Sequence, residues 1–193
     1  SPDRTWEIVS EYKKKNENII LIKREYKKGL DTAHKLAFNY AKENKYDYLI
    51  TLDADLSHDP SKIPNFLEEL KNNPFVIGSR YIKDGKNEMK LRRYLLSAVG
   101  NKIIKFVLGV DCDEFTSSYR GFDLNTLKNF DMNKVSSKGY SFFMETVYLL
   151  NLTGNNIKQI PIRFKHREKG DSKIPKIELF RTLKNLFLLK IKS

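Results

Sequence analysis

The sequence predicts an α/β fold: a mostly parallel sheet flanked by helices. Three observations carry that expectation. Helical stretches alternate with short apolar runs along the chain, the order expected of a parallel sheet with helical crossovers. The runs Ile19-Ile20-Leu21-Ile22, Tyr48-Leu49-Ile50-Thr51 and Phe75-Val76-Ile77 read as strands covered on both faces. The second run then turns abruptly acidic, with Asp53 and Asp55 at its outlet. The C-terminal edge of a parallel sheet is where such proteins place their ligands.

Each element has a local reason. Asp3 or Thr5 can cap a helix through Ile8, Val9 and Tyr12, closed by Lys13-Lys14-Lys15, cations that suit a helix C-terminus. A basic loop, Lys23 through Gly29, follows the first strand. Asp31 or Thr32 then starts a helix with Ala33, Leu36, Ala37, Tyr40 and Ala41 on one face. Asp59-Pro60 has the form of an N-cap and first helical position, ahead of Ile63, Phe66, Leu67 and Leu70. After the third strand, Gly78-Ser79-Arg80-Tyr81 forms an outlet, and residues 83–90 read as a flexible segment. A long helix over 91–108 ends at Gly109 and begins among Lys90, Arg92 and Arg93, with Ser97 four residues after Arg93. Beyond a loop at 111–116, a short strand is expected over 118–122 and a short helix over 124–130. A helix over 142–152 carries Glu145. Residues 157–164 form the last strand, which Pro161 marks as irregular or at an edge. A polar loop, 165–173, leads to an amphipathic helix over 177–191.

The 193 residues suit one domain, and 40% hydrophobic content suffices for a core. The formal net charge of +12 and pI near 9.6 point to anionic partners. The single Cys112 excludes an internal disulfide and fits a reducing compartment. No apolar run approaches the roughly 18 residues of a membrane span, and the start shows no signal-peptide pattern.

Asp53 and Asp55, two apart at the frayed end of a strand, can turn both carboxylates towards one hard cation. Two carboxylates leave most positions of an octahedral Mg²⁺ or Mn²⁺ open for water and a diphosphate.

Several stretches, in order, resemble one family. Ser1-Pro2-Asp3-Arg4-Thr5 is similar to the tail of its first acidic motif, and Lys28-Gly29-Leu30 with Ala33 to its helix start. Asp53-Ala54-Asp55-Leu56-Ser57-His58 resembles its metal motif. Gly78-Ser79-Arg80-Tyr81, Arg93 with Ser97 and Asn101, Thr116 with Tyr119-Arg120, and Gly139-Tyr140 with Phe142 also fit. So does the late set Pro161-Ile162, Phe164, Arg167, Gly170 and Ser172-Lys173. On these residues the chain resembles a family 2 inverting glycosyltransferase of the GT-A fold. It looks most like the polyprenol-phosphate (dolichyl-phosphate) mannose synthase branch.

The resemblance implies transfer of a sugar, mannose above others, from a nucleotide sugar such as GDP-mannose to polyprenyl or dolichyl phosphate, with inversion and with Mg²⁺ or Mn²⁺. It implies that Asp53 and Asp55 hold the metal and the donor diphosphate. Arg80, Arg93 and Ser97 would receive the acceptor phosphate, and Arg167 and Lys173 would lie over the donor diphosphate. Asp55, Arg80 and Arg93 are the residues it assigns to catalysis. Glu145 would bond either a loop or a sugar hydroxyl, and His58 reads as a loop histidine in preference to a ligand. A phosphate monoester, with a second pKa of about 6, is largely dianionic near neutral pH and needs no strong base. Residues 1–173 would be the catalytic domain and 174–193 a basic C-terminal helix, either docked on a membrane surface or packed as a core helix. The location implied is the cytoplasmic face of a membrane, with a membrane-anchoring subunit as a further partner.

Two departures stand out. The family begins with a strand, a helix and a second strand, which would precede Ser1. Position 31 is Asp where a second glycine is common. Three rival functions follow from the same residues. One is a related transferase using UDP-glucose or another sugar. Another is a basic nucleic-acid-binding module, which accounts for the charge but not for Asp53 and Asp55, and for which no motif is recognisable. The third is an inactive remnant that binds a partner.

Overall fold

The computed structural model describes residues 4–127, 129–165 and 176–191. Six helices and six strands follow in the order α1 (Thr5–Lys15), α2 (Leu30–Glu43), β1 (Tyr48–Thr51), α3 (Ile63–Leu70), β2 (Phe75–Ser79), β3 (Lys86–Asn87), α4 (Leu91–Leu108), β4 (Arg120–Asp123), α5 (Tyr140–Leu152), β5 (Ile157–Pro161), β6 (Arg163–Phe164) and α6 (Lys176–Ile191). The main sheet has the order β1-β4-β2-β5. β2 and β5 run parallel, while β4 runs antiparallel to both β1 and β2. The fold is α/β, with one reversed strand in an otherwise parallel set.

Side chains alternate across the sheet with period two. Phe75, Ile77, Phe122 and Leu49 face a core built with Phe38 of α2, Ile104 and Leu108 of α4, α5, and Leu186 of α6. Val76, Ile50 and Ile160 face the other way, onto Phe66 and Leu70 of α3. Both faces of the central strands are therefore covered, and β2 is buried along its whole length.

Some local expectations give way here. Tyr48–Thr51 is only partly buried: Leu49 packs on one core and Ile50 on the other, but it is the edge strand of the described sheet and Tyr48 is 38% exposed. Residues 19–22 form no strand, because no described strand lies beside them to take their amides and carbonyls; Ile20 and Ile22 are exposed. Residues 124–127 turn instead of forming a helix. The Asp123 carboxylate accepts from Asn125 N at 3.0 Å and Thr126 Oγ1 at 2.8 Å, and this local alternative competes with helical bonding. The segment 83–90 is partly paired: Lys86–Asn87 runs alongside Arg163–Phe164. The expected strand over 157–164 is broken at Ile162 into β5 and β6.

Other expectations hold. Asp59 caps the turn Pro60–Lys62, its Oδ1 accepting from Ser61 N at 3.0 Å. Asp31, by contrast, does not cap α2: the N-cap is Gly29, with no side-chain cap, and Asp31 lies buried inside the first turn, where it accepts from Gly139 N at 3.4 Å and ties the start of α2 to the start of α5. α6 packs against α4 and α5, with Leu186 fully buried.

The topology has one consequence for function. β1, β2 and β5 end on the same side of the sheet, where antiparallel β4 begins. The loops after Thr51, after Ser79, before Arg120 and after Phe164 therefore converge.

Two measurements test this packing. At Gly121, an added Cβ would meet Leu70 Cδ1 at 2.9 Å and Phe66 Cδ1 at 3.1 Å. Gly121→Ala is expected to lower the urea-unfolding free energy by about 1–3 kcal/mol through overpacking. His34 lies against the Phe142 and Phe143 rings, and burial, aided by Arg120, lowers its pKa from 6.5 to about 4. Its proton is bound by the unfolded chain first, so stability should fall as pH drops from 6.5 towards 4, and His34→Phe should flatten that fall in pH-dependent denaturation curves.

Candidate functional site

At the outlet of β1 the chain makes a tight acidic loop. Asp53 and Asp55 are both half-buried. Asp55 Oδ1 accepts from the backbone N–H of Ser57 at 3.1 Å and from the Ser57 hydroxyl, which fixes that carboxylate in the loop. The Asp53 N–H donates to His58 Nδ1 at 3.1 Å. His58 is buried and its pKa is lowered, chiefly by burial. An accepting Nδ1 fits the neutral ring, so His58 is a loop histidine that holds the backbone of Asp53. Its ring lies 5.1 Å from Tyr119 and 5.6 Å from Phe164. Tyr119 in turn donates to Asp59 O at 3.1 Å and stacks on Phe66 at 4.3 Å. The far side of the loop is held by Lys165 N, which donates to Ser57 O at 3.1 Å.

At the outlet of β2 the chemistry is cationic but compensated. The Arg80 side chain is 8% exposed and Glu114 is fully buried. Arg80 Nε and Nη2 donate to the two Glu114 oxygens at 2.8 and 3.1 Å, and Nη2 also reaches Thr116 Oγ1 at 3.3 Å. Burial alone would lower the Arg80 pKa, but the Glu114 carboxylate outweighs it and holds the guanidinium above its ordinary value. The guanidinium carbon lies 4.8 Å from the Phe164 ring centroid and 5.2 Å from that of Tyr81. Gly85 permits the chain to pass close behind: a Cβ there would sit 2.8 Å from the Arg80 carbonyl carbon.

Tyr81 leads on to α4. Its hydroxyl donates to Ser97 Oγ at 2.7 Å. Asn101, one turn later, donates to Ser97 O at 2.9 Å and accepts from Phe115 N at 2.8 Å. Ser97 is therefore held against Tyr81, and Arg93 sits exposed one turn before it. The structure thus links Asp53, His58, Phe164, Arg80, Tyr81 and Ser97 as successive contacts across one end of the sheet.

Arg167 and Lys173 lie outside the described residues. Glu145 is buried and bonds a loop: it accepts from Ser136 N at 2.9 Å and Ser137 N at 2.6 Å. Two residues had no role in the sequence reading. Glu114 lay in what read as a plain loop, although an acid between Cys112 and Phe115, apolar residues of a basic chain, is a signal for a buried partner. Arg120 is fully buried, with its pKa lowered to about 9 by burial. It donates to Ser117 O at 2.7 Å, Phe115 O at 2.9 Å and Phe143 O at 3.0 Å, and so clamps the Glu114 loop to α5.

The donor set of the acidic loop fits Mg²⁺ or Mn²⁺. It offers the hard carboxylate oxygens that such ions take; among the described residues no group of three or more His, Cys, Asp or Glu gathers to hold a metal.

Residues 1–130 match the profile described as glycosyl transferase family 2. The undecaprenyl-phosphate mannosyltransferase of Micrococcus luteus is 32% identical over 175 residues, covering 90% of this chain and 72% of that protein. The polyprenol monophosphomannose synthase of Mycolicibacterium smegmatis is 31% identical over 177 residues, covering 90% of this chain and 67% of that protein.

The buried pair can be tested by itself. Arg80→Met leaves the Glu114 carboxylate buried without its partner, and should cost about 3–5 kcal/mol in chemical denaturation. Adding Glu114→Gln should recover more than half of that loss.

Proposed function

Because the chain belongs to glycosyl transferase family 2 and is a glycosyltransferase, we propose that it moves mannose from GDP-mannose to a polyprenyl phosphate with inversion. The observation that carries this reading is the run of contacts from Asp53 to Ser97, which leads from the acidic loop to α4 one turn after Arg93. Both relatives are named for lipid-phosphate mannosyl transfer, and both match over 90% of this chain.

Each residue then has a task. Asp53 and Asp55 hold a divalent ion, which when bound offsets charge on the departing nucleoside diphosphate. His58 keeps Asp53 in place. Arg93 and Ser97 receive the acceptor phosphate, whose oxygen is the nucleophile. Arg80 has committed Nε and Nη2 to Glu114, so its share in the acceptor site comes through Nη1. Its pairing also lowers the net charge that the site presents. Arg167 and Lys173 cover the donor diphosphate. Glu145 shapes the loop at 136–137 without touching substrate. The acceptor phosphate is dianionic near neutral pH, so the site needs guanidinium groups to bring two anions together, and no base. Residues 1–173 form the catalytic unit, working peripherally at the cytoplasmic face of a membrane, where an anchoring subunit would add to its hold.

Calorimetric titration tests the donor half. GDP-mannose should bind with Mn²⁺ present, and binding should be lost with chelator and in Asp55→Ala. Tight binding of UDP-glucose in its place, or binding indifferent to the metal, overturns the assignment. For the acceptor half, Arg93→Ala should leave GDP-mannose affinity unchanged and lower mannosyl transfer to polyprenyl phosphate by about 10²-fold or more.

A further inference from the structure

A serine inside a helix ordinarily gives its hydroxyl proton to the carbonyl four residues back. Ser97 does not. Its oxygen accepts from Tyr81 Oη at 2.7 Å, and among the described residues its own proton has no acceptor. Two hydroxyls in contact divide the roles by acidity. The phenol is the stronger acid, so Tyr81 gives the proton and Ser97 receives it.

Tyr81 is held in that role. Its backbone N–H donates to Ser79 Oγ at 3.2 Å. Its ring lies 5.8 Å from the Tyr94 ring and 5.2 Å from the guanidinium carbon of Arg80. Burial raises the pKa of the phenol and outweighs the opposing pull of Arg80. The phenol therefore keeps its proton near neutral pH, while the cation on its ring strengthens the O–H as a donor. Ser97 is fixed from the other direction. Asn101 donates to Ser97 O and accepts from Phe115 N, which locks this turn of α4 to the loop that carries Glu114. Ser97 is half-buried, and Arg93, exposed one turn earlier, shares its side of the helix.

We propose that Tyr81 is a positioning residue for the acceptor: by occupying the Ser97 oxygen it turns the Ser97 O–H onto an oxygen of the incoming polyprenyl phosphate. This deepens the reading given above and rests on it for one point, that Arg93 and Ser97 take that phosphate. Tyr81 itself does not touch the substrate. Without its hydroxyl, the Ser97 proton is free to turn back to the carbonyl of Arg93. With it, the run from Tyr81 through Ser97 to phosphate polarises in one direction, each bond strengthening the next. The last bond ends on a charge, where a hydrogen bond is strongest.

Calorimetry with farnesyl phosphate, a short polyprenyl phosphate, tests the coupling without requiring sugar transfer. Tyr81→Phe removes one oxygen and keeps the ring, so the melting temperature should fall by no more than about 4 °C. Affinity for farnesyl phosphate should fall about tenfold in Tyr81→Phe, and at least as far in Ser97→Ala. Adding Tyr81→Phe to Ser97→Ala should change affinity by less than about twofold, because no hydroxyl is left to orient. Ser97→Thr, which keeps the hydroxyl, should bind close to the wild-type level and retain the dependence on Tyr81. A Tyr81 that only supports the fold would weaken binding by the same factor with Ser97 or Ala at position 97, and that result overturns the proposal. So does wild-type affinity in Tyr81→Phe, or failure of wild type to bind farnesyl phosphate. The expected coupling together with no mannosyl transfer from GDP-mannose supports the role of Tyr81 and counts against the transferase reading alone.

Discussion

A carboxylate and a guanidinium with almost no access to water hold the ligand end of the sheet together. Glu114 is fully buried and Arg80 nearly so, and each alone would be a desolvated charge at a cost of several kcal/mol. Each is tolerable only while the other is in place. Their bidentate contact joins the outlet of β2 to the loop before β4, and Thr116 and Ser117 N–H groups also converge on Glu114 Oε1 at 3.0 and 3.1 Å. Phe164 of β6 lies on the guanidinium and Tyr81 beside it. Three segments distant in sequence therefore share one electrostatic constraint, and the acidic loop is fastened to them through the contact of His58 with Phe164.

The same arrangement separates buried polar groups from accessible ones. Arg80, Arg120, His58 and Glu145 are polar and buried; Arg80 bonds the Glu114 carboxylate, and the other three bond the backbone of loops and of α5. They set shape. Asp53, Asp55, Ser97 and Arg93 are more accessible and stand at the rim of what the buried set fixes. The proposed transfer between two anionic substrates would benefit from that division, because buried groups satisfied in advance do not reorganise when charge moves. On the inner face of α4, Ser97 and Asn101 bond Tyr81 and Phe115, and Ile104 and Leu108 enter the core below them.

Local signals were legible where the physics is local. Asp59-Pro60 forecast a cap, the apolar spacing of α2 and α3 forecast helices, and the abrupt change after Thr51 forecast an acidic outlet. Glu114 and Arg120 were not legible as site-forming residues, since their meaning depends on partners 34 and 23 positions away. The apolar run at residues 19–22 misled for a related reason. A strand exists only as a pair, and a run of isoleucines says nothing about whether a neighbour is there to bond.

By itself, then, the sequence determined the α/β class, most of the helices, the carboxylate pair and the family to which they belong. These rest on periodicity, capping and motif order, all written within a few residues of one another. Tertiary structure decided the reversal of β4, the edge position of β1, the burial of Arg80 on Glu114 and the contact of Tyr81 with Ser97. Those depend on which segments meet across the sheet, and pairing at long range is set by the summed packing of the whole chain and not by any stretch of it.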